Sequence, residues 1–148
     1  MSDAPDARRR TRDPEVGSSR AVHPFRAAIE ARDLDAVSAL LADDVEFRSP
    51  IVFKPYRGRD AATMLLRAVS QVFEDFSYVR EIGAPDARDH ALVFQARVGE
   101  RQIEGCDFLH LDDDGLIDEF VVMVRPLSAA HALRDAMAAQ LAALGGES

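Results

Sequence analysis

Cysteine is nearly missing from this chain. Cys106 stands alone, which removes an internal disulfide and any cysteine-based metal site. Lysine is just as scarce, since Lys54 is the only one and the remaining basic residues are arginine. Positive charge is short overall, with a formal net charge of -8. Phosphate binding depends on clustered Lys and Arg, so nucleic acid is not an expected partner. No apolar run approaches the roughly 20 residues that span a bilayer, and no membrane partner is expected. GxSxG, P-loop and GxGxxG motifs are all absent, which removes the common serine-hydrolase, nucleotide and dinucleotide signatures. No cofactor is therefore expected, and a reducing cytoplasm is the simplest compartment.

What is present suits one domain, because 148 residues leave room for a real core. Residues 1–21 read as a disordered tail, rich in Asp, Pro, Ser and Arg, with almost nothing apolar to offset the entropy of ordering. The arginines at 8, 9, 10 and 12 suggest a twin-arginine signal, but no hydrophobic segment follows them. Residues 22–127 form the domain, and residues 128–148 form a closing helix and tail.

The stretch from Phe25 to Pro50 organises the rest. Phe25, Ala28 and Ile29 share a helical stripe, and Asp33 is placed to cap a second helix bearing Leu34, Val37, Leu40 and Leu41. After an acidic turn the period switches to two, so that Val45, Phe47 and Ser49 point one way and Glu46 and Arg48 the other. Pro50 to Arg59 reads as a loop or short edge strand holding Phe53 and Tyr56, and Asp60 as the cap of a third helix. Strands follow over 76–82, 90–98, 101–111 and 116–125. Gly99-Glu100 suits a two-residue hairpin turn, and Asp114-Gly115 a second one. Helices first and hairpins afterwards make an α+β layout.

The order α-α-β-α-β-β-β-β, with ARDLDAVSALLADDVEFRSP near the start and the hairpin GCDFLHLDDDGLIDEF, resembles the nuclear transport factor 2-like superfamily. Within it the likeness is to the SnoaL-like, polyketide cyclase-like branch, from His23 to Pro126. The resemblance implies a cone-shaped fold: three N-terminal helices over a curved, mainly antiparallel sheet, plus a C-terminal helix, commonly in a homodimer. Laid on that cone, the alternation turns Phe47 and Ser49 inward, with Asp107 and Leu109 on the next-to-last strand and Phe120 and Val122 on the last. Phe25, Phe53, Tyr56 and Phe94 complete a mostly aromatic lining, the profile of a site for a small, largely apolar molecule.

The chemistry narrows to one acid. A ketosteroid isomerase-like site needs a carboxylate base ending the first strand and an oxyanion hole made by a Tyr and a protonated Asp. Here the base position holds Ser49 and the Tyr position on the first helix holds Phe25; the buried acid has a counterpart in Asp107. A limonene epoxide hydrolase-like site needs an Arg between two Asp residues, and the matching run is Arg97-Val98-Gly99. A SnoaL-like cyclase relies on one acid/base Asp, which leaves Asp107 as the candidate catalytic residue. Buried and unpaired it would cost about 1–3 kcal/mol, so a partner is expected in Tyr56, Ser49 or water. The reading is a small-molecule pocket with isomerase- or cyclase-type acid–base chemistry open at Asp107; the alternative is a non-catalytic homodimeric module whose cavity fills its own core.

Asp112-Asp113-Asp114-Gly115 fails as an EF-hand loop at both ends and reads as a solvated turn. The four histidines are scattered, without zinc-site spacing, and no metal is expected. Cys106, Phe108 and His110 alternate outward beside Val121 and Met123, and an apolar strip there predicts a homodimer through the outer sheet face.

Overall fold

The computed structural model describes residues 22–145; the expected tail over 1–21 lies outside the described residues. Ten elements follow in order: α1 (Pro24–Glu30), α2 (Leu34–Ala39), β1 (Leu41–Arg48), β2 (Tyr56–Arg57), α3 (Arg59–Val72), β3 (Glu74–Ile82), β4 (Asp89–Val98), β5 (Arg101–Leu111), β6 (Ile117–Arg125) and α4 (Leu127–Gly145). The strands form one sheet in the order β2-β1-β6-β5-β4-β3. Only the β1–β6 pair is parallel; the rest are antiparallel. This is the expected α+β architecture, with α1, α2 and α3 on one face of the sheet and α4 closing the same side. No helix among the described residues is long and apolar enough to cross a membrane.

Local chemistry accounts for most boundaries. Asp33 caps α2 by accepting from the Ala36 N–H at 3.1 Å. The β4–β5 turn at Gly99-Glu100 is a two-residue hairpin in which Gly99 takes a φ of 58°. Asp112 shapes the next turn, its Oδ1 accepting from the N–H groups of Asp114 and Leu116, both at 2.9 Å. That carboxylate therefore belongs to its own turn. Three local readings shift. Leu41 starts β1 instead of ending α2, and the acidic pair Asp43-Asp44 lies within β1, where the register slips between Leu41 and Glu46. The cap of α3 is Gly58, not Asp60.

The core follows from the alternation. On β5 the inward set Ile103, Gly105, Asp107 and Leu109 is buried, whereas Phe108 between them is exposed. Phe25, Val37, Leu41, Val45, Leu92 and Phe120 form the main apolar cluster where helices meet sheet. Ala96, Val98 and Ile103 form a second cluster beneath Ala129 and Leu133 of α4. Between these clusters the concave face is left uncovered by side chains, and a cavity remains.

Candidate functional site

The cavity has a volume of about 590 Å³ and is lined mainly by carbon. That falls in the range of small-molecule sites, and it is too large for a core that has closed on itself. Its roof is α1, α3 and α4; its floor is the concave face of β3, β4, β5 and β6. The floor depends on Gly105. A Cβ there would lie 2.3 Å from Cζ of Phe94 and 2.9 Å from the Met123 carbonyl oxygen. Glycine thus lets the Phe94 ring lie flat across β5, where Phe76 stacks on it at 5.0 Å and Phe73 leans on it at 5.4 Å between ring centres.

One polar pair is set into this apolar floor. The Tyr78 hydroxyl donates to Asp107 Oδ2 at 2.9 Å, and both residues line the cavity. They reach each other across β4, from strands that are second neighbours and so roughly 9–10 Å apart. Burial drives the Asp107 carboxyl up to about 7, although the hydrogen bond from Tyr78 acts against it. Burial first, and the adjoining Asp107 second, hold the Tyr78 phenol well above its usual value. Tyr78 is therefore protonated at neutral pH, where Asp107 changes charge. Behind the pair, the Arg26 guanidinium sits 5.9 Å from the centre of the Tyr78 ring and is itself held by Glu30 and Glu81.

The expected site residues divide. Phe25, Phe47, Ser49, Tyr56, Phe94, Val122 and Asp107 all line the cavity. Phe53 does not: it is 99% exposed in the β1–β2 loop, and Ile51 and Val52 line the wall in its place. The loop is turned by Ser49, whose Oγ accepts from the N–H groups of Ile51 at 3.2 Å and Val52 at 2.9 Å. Phe120 and Leu109 point inward but lie beneath the surface of the cavity. The rings of Phe25 and Phe47 each pack on Phe120 at 5.1 Å, and Leu109 is its cross-strand neighbour. Asp107 is bonded to Tyr78 and not to Tyr56 or Ser49. Tyr78 and Phe76 are the residues that sequence reasoning passed over; their alternation on β3 was the available signal. Arg97 lies away from the cavity, paired with Glu74 and Asp75.

Two further groupings stand apart from the cavity. His23 and His90, distant in the chain, meet edge-to-face at 4.6 Å, and burial followed by the proximity of His90 lowers the pKa of His23. No group of three or more His, Cys, Asp or Glu among the described residues is arranged to hold a metal. On the outer face His110 Nδ1 is 2.7 Å from Asp89 Oδ1.

A curved six-stranded sheet wrapped round a cavity, roofed by helices on one side, defines a protein of the nuclear transport factor 2-like superfamily. Within it the chain belongs to the SnoaL-like domain family, whose model matches residues 22–120. The chain is similar to the crystal structure of a steroid delta-isomerase from Pseudomonas aeruginosa, at 44% identity over 82% of this chain and 89% of that one, with a TM-score of 0.78. A protein with a cystatin-like fold from Silicibacter pomeroyi DSS-3 is 40% identical over 79% of this chain and 82% of that one, with a TM-score of 0.74. PrhC from Penicillium brasilianum NBRC 6234 shares the fold, at 18% identity over 82% and 87% of the two chains and a TM-score of 0.58. No curated protein matches the chain.

Proposed function

We propose that this chain binds a small, largely apolar molecule in the cavity and holds one carbonyl or hydroxyl oxygen of it at the Tyr78–Asp107 pair. The single observation that carries the reading is that pair: two hydrogen-bonded oxygens, buried, at the floor of an open and mainly carbon-lined cavity. A polar pair that merely stabilised the core would be packed over; this one lines the cavity. Protonated, Asp107 supplies a donor to a ligand carbonyl; ionised, it accepts from a ligand hydroxyl while Tyr78 holds its second oxygen. The similarity to a steroid delta-isomerase supports a ligand of steroid-like character. Ser49 supplies no base for proton abstraction from carbon, because an alcohol is too weakly basic and its hydroxyl is engaged with its own loop. Acid–base chemistry in the cavity rests on Asp107, acting as a proton donor to a carbonyl oxygen or a base toward a hydroxyl.

The test uses an accident of composition. The protein has no tryptophan and two tyrosines, Tyr56 and Tyr78, both of which line the cavity. Intrinsic tyrosine emission therefore reports the site itself. Titration with 2-acetylnaphthalene is expected to change that emission, with affinity roughly tenfold above that of 2-ethylnaphthalene, which lacks the oxygen. Asp107→Leu should remove the difference. Equal affinity for the two probes in the wild-type protein would overturn the reading.

We also propose that the protein is a homodimer through the outer sheet face. Cys106, Phe108, Val121 and Met123 meet there in register, with Phe108 opposite Val121 and Cys106 opposite Met123. Phe108 is 41% exposed and Met123 58%. Charged pairs rim the patch, Arg125 with Glu104 and Arg48 with Glu119, as suits a self-complementary surface. Sedimentation equilibrium at micromolar concentration should give a dimer mass for the wild type and a monomer for Phe108→Glu. A wild-type monomer would reject it.

A further inference from the structure

The rim of the cavity carries an arginine in a conformation that arginine rarely adopts. α1 ends in a Schellman motif: the Asp33 N–H donates to the Ala28 carbonyl and the Arg32 N–H to the Ile29 carbonyl, both at 3.0 Å. That motif puts the residue after the cap in the left-handed region, and Arg32 has a φ of 57°. Glycine is the usual occupant, because any side chain crowds the backbone there. Among the described residues Arg32 makes no ion pair and no side-chain hydrogen bond, yet its exposed side chain lines the cavity. An unfavourable backbone state carrying an uncommitted charge at a cavity rim points to a role outside folding.

A second exposed arginine lines the same cavity from another element. Arg134 of α4 lines the cavity, and its carboxylate contact is the exposed Asp135 next to it in the chain, at 3.1 Å. Among the described residues that line the cavity, the carboxylate besides Asp107 is Glu30, which is tied to Arg26 at 3.0 Å. The cavity lining therefore includes two arginines beside one glutamate that is already paired, on a protein whose formal net charge is -8. Guanidinium is weakly hydrated and binds planar anions through two parallel hydrogen bonds, which suits it to a half-exposed rim.

We propose that Arg32, assisted by Arg134, receives an anionic group on the outer end of the ligand, so that the molecule bound is an amphipathic acid: apolar in its body, with a carboxylate or sulfo group at the rim and an uncharged oxygen at the floor. This deepens the pocket reading above and rests on it. Tyr78 and Asp107 recognise the inner oxygen; Arg32 decides which apolar molecules are admitted by their outer charge.

A matched pair of probes separates the two claims. 8-Anilino-1-naphthalenesulfonate and N-phenyl-1-naphthylamine share a skeleton and differ by the sulfonate. The wild-type protein is expected to bind both, the sulfonate more tightly, with each displacing the other. Arg32→Gly should weaken the sulfonate probe roughly tenfold and leave the neutral one unchanged. The same variant should raise the melting temperature, since glycine relieves the left-handed backbone; Arg32→Gln should lose the anion preference without that rise. If both probes bind but the variants alter neither, or weaken both equally, the rim assignment is overturned and the pocket reading stands. If neither probe binds the wild type, the pocket reading falls and takes this one with it.

Discussion

The two faces of β5 carry opposite solutions to the same problem. Inward, Asp107 is a buried carboxyl among aromatic rings; outward, one residue away, Phe108 is a large ring in the open. Ordinary folding would exchange them. The inner face has hydrophobic walls and a polar residue that is hydrogen-bonded to Tyr78 but not packed over. The outer face has apolar residues in cross-strand register, with His110 and Asp89 in hydrogen-bond contact at its edge. A residue on the wrong side of a strand is tolerated where something else will complete its surroundings. By the readings proposed above, that is a ligand on the concave side and a second copy of the chain on the convex side.

The largest expected effect tests whether Asp107 is neutral within its wall. Its carboxyl holds a proton up to about 7 in the folded protein against an ordinary 3.8. The native state thus binds more protons than the unfolded one between those values. This contribution is fully present below the unfolded pKa and is lost as pH rises through the folded one. Its full size is roughly 4 kcal/mol, at about 1.36 kcal/mol per pH unit. Urea midpoints of the wild type should fall relative to those of Asp107→Asn between pH 4 and pH 8; parallel curves would show an Asp107 that is charged throughout.

Gly105→Val should come next, at about 3 kcal/mol of lost stability, because its side chain meets the Phe94 ring and the Met123 carbonyl at once. A ring can swing aside, but backbone cannot, so a neutral result by denaturant titration would mean that Phe94 does not lie across β5. Tyr78→Phe is smaller, about 1–2 kcal/mol, for one buried hydrogen bond. It also carries a sign: removing the donor that favours the ionised carboxyl should move the Asp107 transition to still higher pH. An unmoved transition would deny the bond. The outer face should respond least. The Asp89 partner raises the pKa of His110, so the pair contributes below the ordinary histidine value and fades as pH climbs past the folded one. His110→Gln should leave the unfolding midpoint of the protein unchanged, since exposed pairs contribute little.

Much of the fold was legible because its signals are local. Asp33 caps α2 through its own side chain, and Gly99-Glu100 closes a hairpin whose strand lengths then set the register of β4 on β5. The candidate site was legible in part. The inward direction of Asp107 follows from the pleat alone, but the identity of its partner does not. Tyr56 and Ser49 were the expected partners, and Tyr78 is the real one, because β3 carries register shifts on both sides of Ser77-Tyr78 and its side chain crosses a whole strand. Phe53 misled for a related reason. It has the chemistry of a lining residue, yet the turn held by Ser49 sends it outward. The meeting of His23 with His90 likewise has no trace in spacing.

By itself the sequence determined the kind of chain this is: helices that need a sheet to cover, hairpins that supply it, and one acid facing the same way as the aromatic side chains. Alternation, caps and turns act over a few residues, so they survive without knowledge of the rest. Only the tertiary structure decided that the concave face stays open, that Tyr78 reaches Asp107, and that Arg32 stands at the rim. Those outcomes depend on sheet curvature and on bulges that displace one strand against another, and such displacements sum over elements far apart in the chain.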